Sequence, residues 1–215
     1  MKKITLYFIL ICLIALLTGC RQNNHTQILA TTKPVHQFTA SLCEGTPLEV
    51  ELLVSENVSC LHDYTLQVSQ MRKLESAELI VINGAGFEAF LSDALPANAN
   101  IIDSSADIEL HCGSHAHHED HNHENDPHIW LNVHNARKMA STICLELCKA
   151  YPQYKDIFNA NLEKLNVKFA NLESTASDLS NLSSWEMITF HDGFSYLAES
   201  LDLHIIRSIE EESGS

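Results

Sequence analysis

Hydrophobic and polar positions along this chain fall into short blocks that switch between strand-like and helix-like spacing. Gln27–Thr32 and Leu48–Val54 read as strands, and Val35–Cys43 between them reads as a helix. Leu66–Ser76 predicts a helix, Glu78–Asn83 (ELIVIN) a buried-type strand, Phe87–Leu95 a helix and Asn100–Asp103 a short strand. Strands alternating with helices predict βα units on a parallel sheet. No repeat of solenoid period interrupts the series.

Ser104–Pro127 has no hydrophobic periodicity and reads as one long polar loop, a feature associated with function or disorder. Helical spacing returns at Val133–Ala150. Tyr151-Pro152 interrupts it, and Pro152 suits the first turn of another helix. That helix extends to about Leu179 through Ile157, Phe158, Leu162, Leu165, Phe169 and Leu172. At 1.5 Å per residue it would be on the order of 40 Å long, the length of a spine between two lobes. Glu186–Phe190 then predicts a strand, Gly193–Leu201 a helix and Leu203–Ile209 a strand, before the chain ends in EEESGS. Two strands and one helix make a marginal sheet. The expected fold class is therefore α/β, with two βα lobes on parallel sheets joined by a long rigid helix and the second lobe incomplete. The expected divisions are 28–150 for the first lobe with a histidine-rich loop at 111–125, 151–180 for the helix and 181–215 for the partial lobe.

The N-terminus changes the setting. Lys2 and Lys3 precede the apolar run Ile4–Leu17, which has the layout of an export signal and is short for a membrane span. Leu17-Thr18-Gly19-Cys20 resembles the bacterial lipoprotein box. That resemblance implies cleavage after residue 19, lipidation of Cys20, a polar tether over 20–27 and attachment to a membrane outer face or in the periplasm. Loss of Lys2 and Lys3 takes the formal charge from −15 to −17. So acidic a chain, without a basic stripe, argues against nucleic acid and is compatible with cation capture. The cysteines Cys43, Cys60, Cys112, Cys144 and Cys148 are odd in number and irregular in spacing, which does not make a disulfide framework. Cys144 and Cys148, one helical turn apart, read as small buried hydrophobes.

The strongest chemical signal is the stretch from His111 to His128. It holds seven of the 13 histidines, interleaved with Glu119, Asp120, Glu124 and Asp126. Neutral imidazole is the commonest ligand for borderline transition metals. Three histidines share a second pattern. His62 follows the strand Leu48–Val54, His128 closes the long loop, and His191 ends the strand Glu186–Phe190. Ligands of open α/β sheets bind beyond the carboxyl ends of strands, and three imidazoles meeting there would supply most of a tetrahedral zinc site. Histidine at 191 favours zinc, whereas a carboxylate there would suit manganese or iron.

Four segments carry a family likeness: Leu61-His62-Asp63-Tyr64, Ala77–Gly84 (AELIVING), Asp126-Pro127-His128-Ile129-Trp130-Leu131 and Thr189-Phe190-His191-Asp192. In these, and in their order, the chain resembles the metal-binding solute-binding proteins of ABC uptake transporters, in particular the high-affinity zinc-uptake branch. The resemblance implies a non-enzymatic receptor that hands Zn2+ to an ABC permease, with His62, His128 and His191 as ligands between two lobes. It implies weak, exchangeable zinc capture by His115, His117, His118, His121 and His123, and it is read with a monomer. It also implies a fourth, acidic ligand from a later loop of the second lobe, so the C-terminal part is expected to be missing; Glu210, Glu211 and Glu212 are not assigned that role. Rival readings are a manganese- or iron-binding homologue, a zinc hydrolase, and a surface adhesin or zinc buffer. The hydrolase lacks H-E-x-x-H and an evident general base.

Further signals compete. Gly84-Ala85-Gly86-Phe87-Glu88-Ala89 fits a dinucleotide fingerprint, yet the same glycines serve a strand-to-helix turn. Cys60 near His62 and Cys112 beside His111 are conceivable soft ligands, with packed or free thiols the preferred reading. Asp63 and Asp192 follow two of the histidines as second carboxylates or turn residues.

Overall fold

The computed structural model describes residues 26–55, 61, 64–111, 125–179 and 182–209. Its first unit is a four-stranded parallel sheet in the order β2-β1-β3-β4, from β1 (Ile28–Ala30), β2 (Val50–Leu52), β3 (Leu79–Ile82) and β4 (Ile101–Asp103). The register sets Ile28 beside Val50 on one side and Leu79 on the other, and Ile80 beside Ile101. β1 is central, and all three of its residues are fully buried. Alternation sends Ile28 and Ala30 to one apolar cluster and Leu29 to another, so the sheet is covered on both faces.

One face carries α1 (Lys33–Cys43), α3 (Val133–Ala150) and α4 (Lys155–Ser177); the other carries α2 (Val68–Ser76). Pro34 in the first turn of α1 suits a position where a backbone N–H has no helical partner. The Asn132 side chain caps α3 by accepting from the His134 and Asn135 amides. At 23 residues α4 is about 35 Å long. It buries Phe158, Asn161, Leu165 and Phe169, and the Asn161 amide donates to the Leu42 and Glu44 carbonyls at 2.9 and 2.8 Å. α4 therefore packs along the first sheet's helices before it leads onward. Beyond it, β5 (Glu186–Thr189) and β6 (His204–Ser208) form a two-stranded parallel sheet, with α5 (Ser195–Leu201) between them in sequence.

The expected helix at Phe87–Leu95 is not formed as such; the segment is a succession of tight turns with one short 3-10 helix at Ala89–Leu91. Gly84, Ala85 and Gly86 all have φ between +56° and +85°, a left-handed run that reverses the chain as it leaves β3. The polar loop is also more anchored than its composition predicts, because Ile108 is buried and Leu110 packs against the core. Of the two cysteines expected to be buried, Cys144 is and Cys148 is only half-buried; Cys43 is buried as well, and burial pushes the Cys43 and Cys144 thiols up to about 12.

Candidate metal centre

The sheet reverses winding direction between β1 and β3, and the residues just past those strands build the floor of the site. Thr31 follows β1 and Asn83 follows β3. Glu88, from the turn after β3, accepts from the Thr31 hydroxyl at 2.6 Å and the Asn83 and Gly84 amides at 2.7 and 3.0 Å. Burial pushes the Glu88 carboxyl up, against the pull of those three donors. The Ala85 amide is used as well, donating to Ser105 at 3.0 Å. A phosphate cradle needs such amides available, and here side chains take them. The glycine motif is a turn.

Asn83 carries the floor to the first histidine. It is fully buried, and its side-chain amide donates to the Gly84 and Pro127 carbonyls, each at 3.0 Å. Pro127 is thereby tied to the end of β3. Asp126, 5% exposed, then turns back on His128: its Oδ1 accepts from the His128 amide at 2.9 Å and faces ring Nδ1 at 2.8 Å. Burial pulls the Asp126 carboxyl upward, but hydrogen bonds from the His128 ring, the Ser195 hydroxyl and the His128 amide outweigh it and hold the group below the usual carboxylate range. An ionised Asp126 selects the tautomer with the proton on Nδ1, leaving the His128 Nε2 lone pair available.

That nitrogen faces the second histidine. His191 lies two residues past β5, and its Nε2 is 3.1 Å from Nε2 of His128. The rings cross at 80° with centroids 4.9 Å apart. Phe87 and Trp130 wall His128 at 5.5 and 5.2 Å. Two imidazoles held by one tetrahedral ion at 2.0–2.1 Å place their nitrogens about 3.3 Å apart, so the pair is already near that spacing.

His62 lies outside the described residues, as do Asp63, Cys20, Cys60, Cys112 and the loop histidines His115, His117, His118, His121 and His123. Its neighbours are placed: Leu61 is buried, the Tyr64 amide donates to the Leu61 carbonyl at 3.2 Å, and both pack in the cluster that contains Phe87. Among the described residues no group of three metal-ligating side chains assembles. His111, the loop's first histidine, sits away from the pair; its ring stacks on Tyr196 at 5.2 Å and lies 3.5 Å from a Glu199 oxygen.

Asp126, Asn83, Gly193, Ser195 and Tyr196 escaped the sequence reading as site residues. A Cβ on Gly193 would stand 2.6–2.9 Å from three atoms of the His128 ring, so only glycine allows this approach. Ser195 donates to Asp126 Oδ2. The signal available for Asp126 was its place two residues before a histidine, where a carboxylate can bond both the amide and the ring. Tyr196 and Ser195 had no comparable signal, because their partners lie some 70 to 85 positions away.

Residues 28–215 match the family described as zinc-uptake complex component A, periplasmic. The chain is 29% identical over 213 residues to the zinc-binding lipoprotein AdcA of Streptococcus pneumoniae R6, covering 92% of this chain and 42% of that protein. It is 28% identical over 195 residues to the high-affinity zinc uptake system protein ZnuA of Yersinia pestis, covering 79% and 61%. The chain thus spans about two fifths to three fifths of the length of these relatives. Among solved structures, it superposes on a ZnuA crystal structure with a TM-score of 0.74 at 27% identity, covering 88% of this chain and 75% of that one. Against Zn(II)-bound AdcA from Streptococcus pneumoniae the TM-score is 0.73 at 26% identity, covering 85% and 39%.

Proposed function

The chain belongs to the periplasmic zinc-uptake component A family, and from that we propose that it is a receptor that captures Zn2+ outside the cytoplasm and delivers it to an ABC permease. The observation that carries the reading is the His128–His191 pair, with Nε2 atoms 3.1 Å apart and the His128 tautomer set by Asp126. His62, which lies outside the described residues, is the third imidazole that the reading assigns to the set. This donor chemistry favours zinc over manganese. A receptor needs ligands, geometry and release, and no covalent step. The names of the relatives, a zinc-binding lipoprotein and a zinc uptake protein, support the same reading.

The reading includes a signal at 1–19, a lipid on Cys20 with a tether over 20–27, lobes at 28–150 and 181–215, and a connecting helix over 151–180. No described helix is long and apolar enough to cross a membrane. Loop histidines 115, 117, 118, 121 and 123 hold zinc weakly and exchangeably. Calorimetry with zinc is the test: His128→Ala or His191→Ala weakens tight binding by more than about 100-fold, beyond the range typical of residues that only support a ligand. Deletion of residues 111–124 leaves it largely intact. Undiminished tight binding in either point variant removes the ligand assignment.

A further inference from the structure

One short stretch supplies both a histidine of the pair and the contacts that hold the other. His191 opens it. Gly193 lies flat against the His128 ring. Ser195 Oγ donates to Asp126 Oδ2, while Asp126 Oδ1 faces the His128 amide and ring. Tyr196, 1% exposed, accepts the His111 N–H at 3.0 Å, and the Asp126 amide donates to the His111 carbonyl at 3.0 Å. Serine near a helix start commonly caps the helix. α5 has Phe194 at its N-cap and no side-chain cap, so the Ser195 hydroxyl is directed at Asp126 instead.

The geometry has a consequence for His128. A carboxylate bonded through one oxygen alone can rotate about its Cβ–Cγ bond; bonded through both, it presents Oδ1 at a fixed place. We propose that Ser195 is a positioning residue for metal capture, which acts through Asp126 to fix the tautomer and ring plane of His128 and registers that ring to the segment bearing His191. The proposal rests on the reading of His128 and His191 as zinc ligands. It gives the two histidines a mutual alignment that exists before the ion arrives, so less ordering is required on binding.

The test uses the full chain and zinc itself, with affinity read by competition against a chromogenic chelator. Ser195→Ala is expected to weaken binding about 10-fold, the lower end for groups that orient a metal-bound histidine. Ser195→Thr keeps the hydroxyl and binds within about twofold of the parent, far inside that range. Nitrogen-15 spectra of the metal-free protein add a readout that loss of packing would not give: His128 is protonated on Nδ1 in the parent and Ser195→Thr, and becomes a tautomer mixture in Ser195→Ala. In an Asp126→Asn background, Ser195→Ala adds no further loss, because the route through the carboxylate is already broken. Parent-like affinity in Ser195→Ala, equal weakening in the Ala and Thr variants, or independent losses in the double variant each overturn the proposal. Those results leave the ligand assignment of His128 and His191 standing, which fails instead if His128→Ala binds zinc like the parent.

Discussion

The two parallel sheets of this molecule follow the same local rules and end in opposite conditions. The first buries both faces of β1, and Phe158, Ile143, Met139 and Leu147 seal it at 0% exposure. The second leaves Trp185 at 65% and Phe190 at 82% exposed, with Ile188, Ile206 and Ile209 also open. A two-stranded parallel sheet has too little surface to bury its own apolar residues. What keeps it in place is local: Tyr196 is enclosed, and α5 lies on the turn that follows His128. The first unit makes its own core. The second is organised chiefly where it meets the histidine pair.

The same substitution in the two units should expose that contrast most sharply. Phe158→Ala removes a fully buried ring from the first core and is expected to cost about 3–5 kcal/mol. Phe190→Ala removes a ring already in solvent and should change stability by less than about 0.5 kcal/mol. Urea denaturation of both variants measures the difference. Comparable losses would mean that Phe190 is buried in solution and that the second sheet is not open.

Much of the first unit was legible because its signals are local. Val133–Ala150 forms a helix with the expected bounds, and the ELIVIN segment lies in the sheet as β3. The Phe87–Leu95 helix failed for a local reason too: three successive left-handed residues, Gly84 to Gly86, and the bonds to buried Glu88 compete with helix initiation. At the site, the sequence pattern could place His128 at the close of the long loop and His191 at a strand end, but not at a 3.1 Å separation. The contacts that create this separation join residues far apart in sequence, and no periodicity encodes them. Gly193 is the clearest case. As a letter it marks a turn, whereas in space it is the surface on which an imidazole rests.

Between the two units the junction itself is testable. Gly193→Ala forces a Cβ into the His128 ring, an overpacking expected to cost about 1–3 kcal/mol and to displace the ring. Zinc affinity should fall with it, whereas unchanged affinity would mean that the two segments separate without consequence. Tyr196→Phe is milder. It deletes the acceptor of the His111 N–H while keeping the ring buried, and should cost about 1 kcal/mol. Hydrogen exchange at the His111 amide locates the effect, because protection falls there first if α5 anchors the base of the loop.

The smallest effect concerns how much electrostatic strain the first unit absorbs. Burial raises the Glu88 carboxyl above its ordinary value of 4.5 despite three hydrogen-bond donors. The folded state therefore binds more protons than the unfolded state between the ordinary and the raised values. Its contribution to stability is fully present below the ordinary value and is lost as pH rises through the folded one. Glu88→Gln cannot ionise and lacks this slope. Relative to the parent, the variant should gain stability with rising pH across that window, whatever fixed loss follows from turning an amide toward the Gly84 N–H. Thermal melts of both proteins in parallel from about pH 4 to neutrality, spanning the ordinary glutamate range, measure the difference. A constant offset would mean that the donors from Thr31, Asn83 and Gly84 fully compensate burial, and that the floor beneath the histidine pair carries no stored charge penalty.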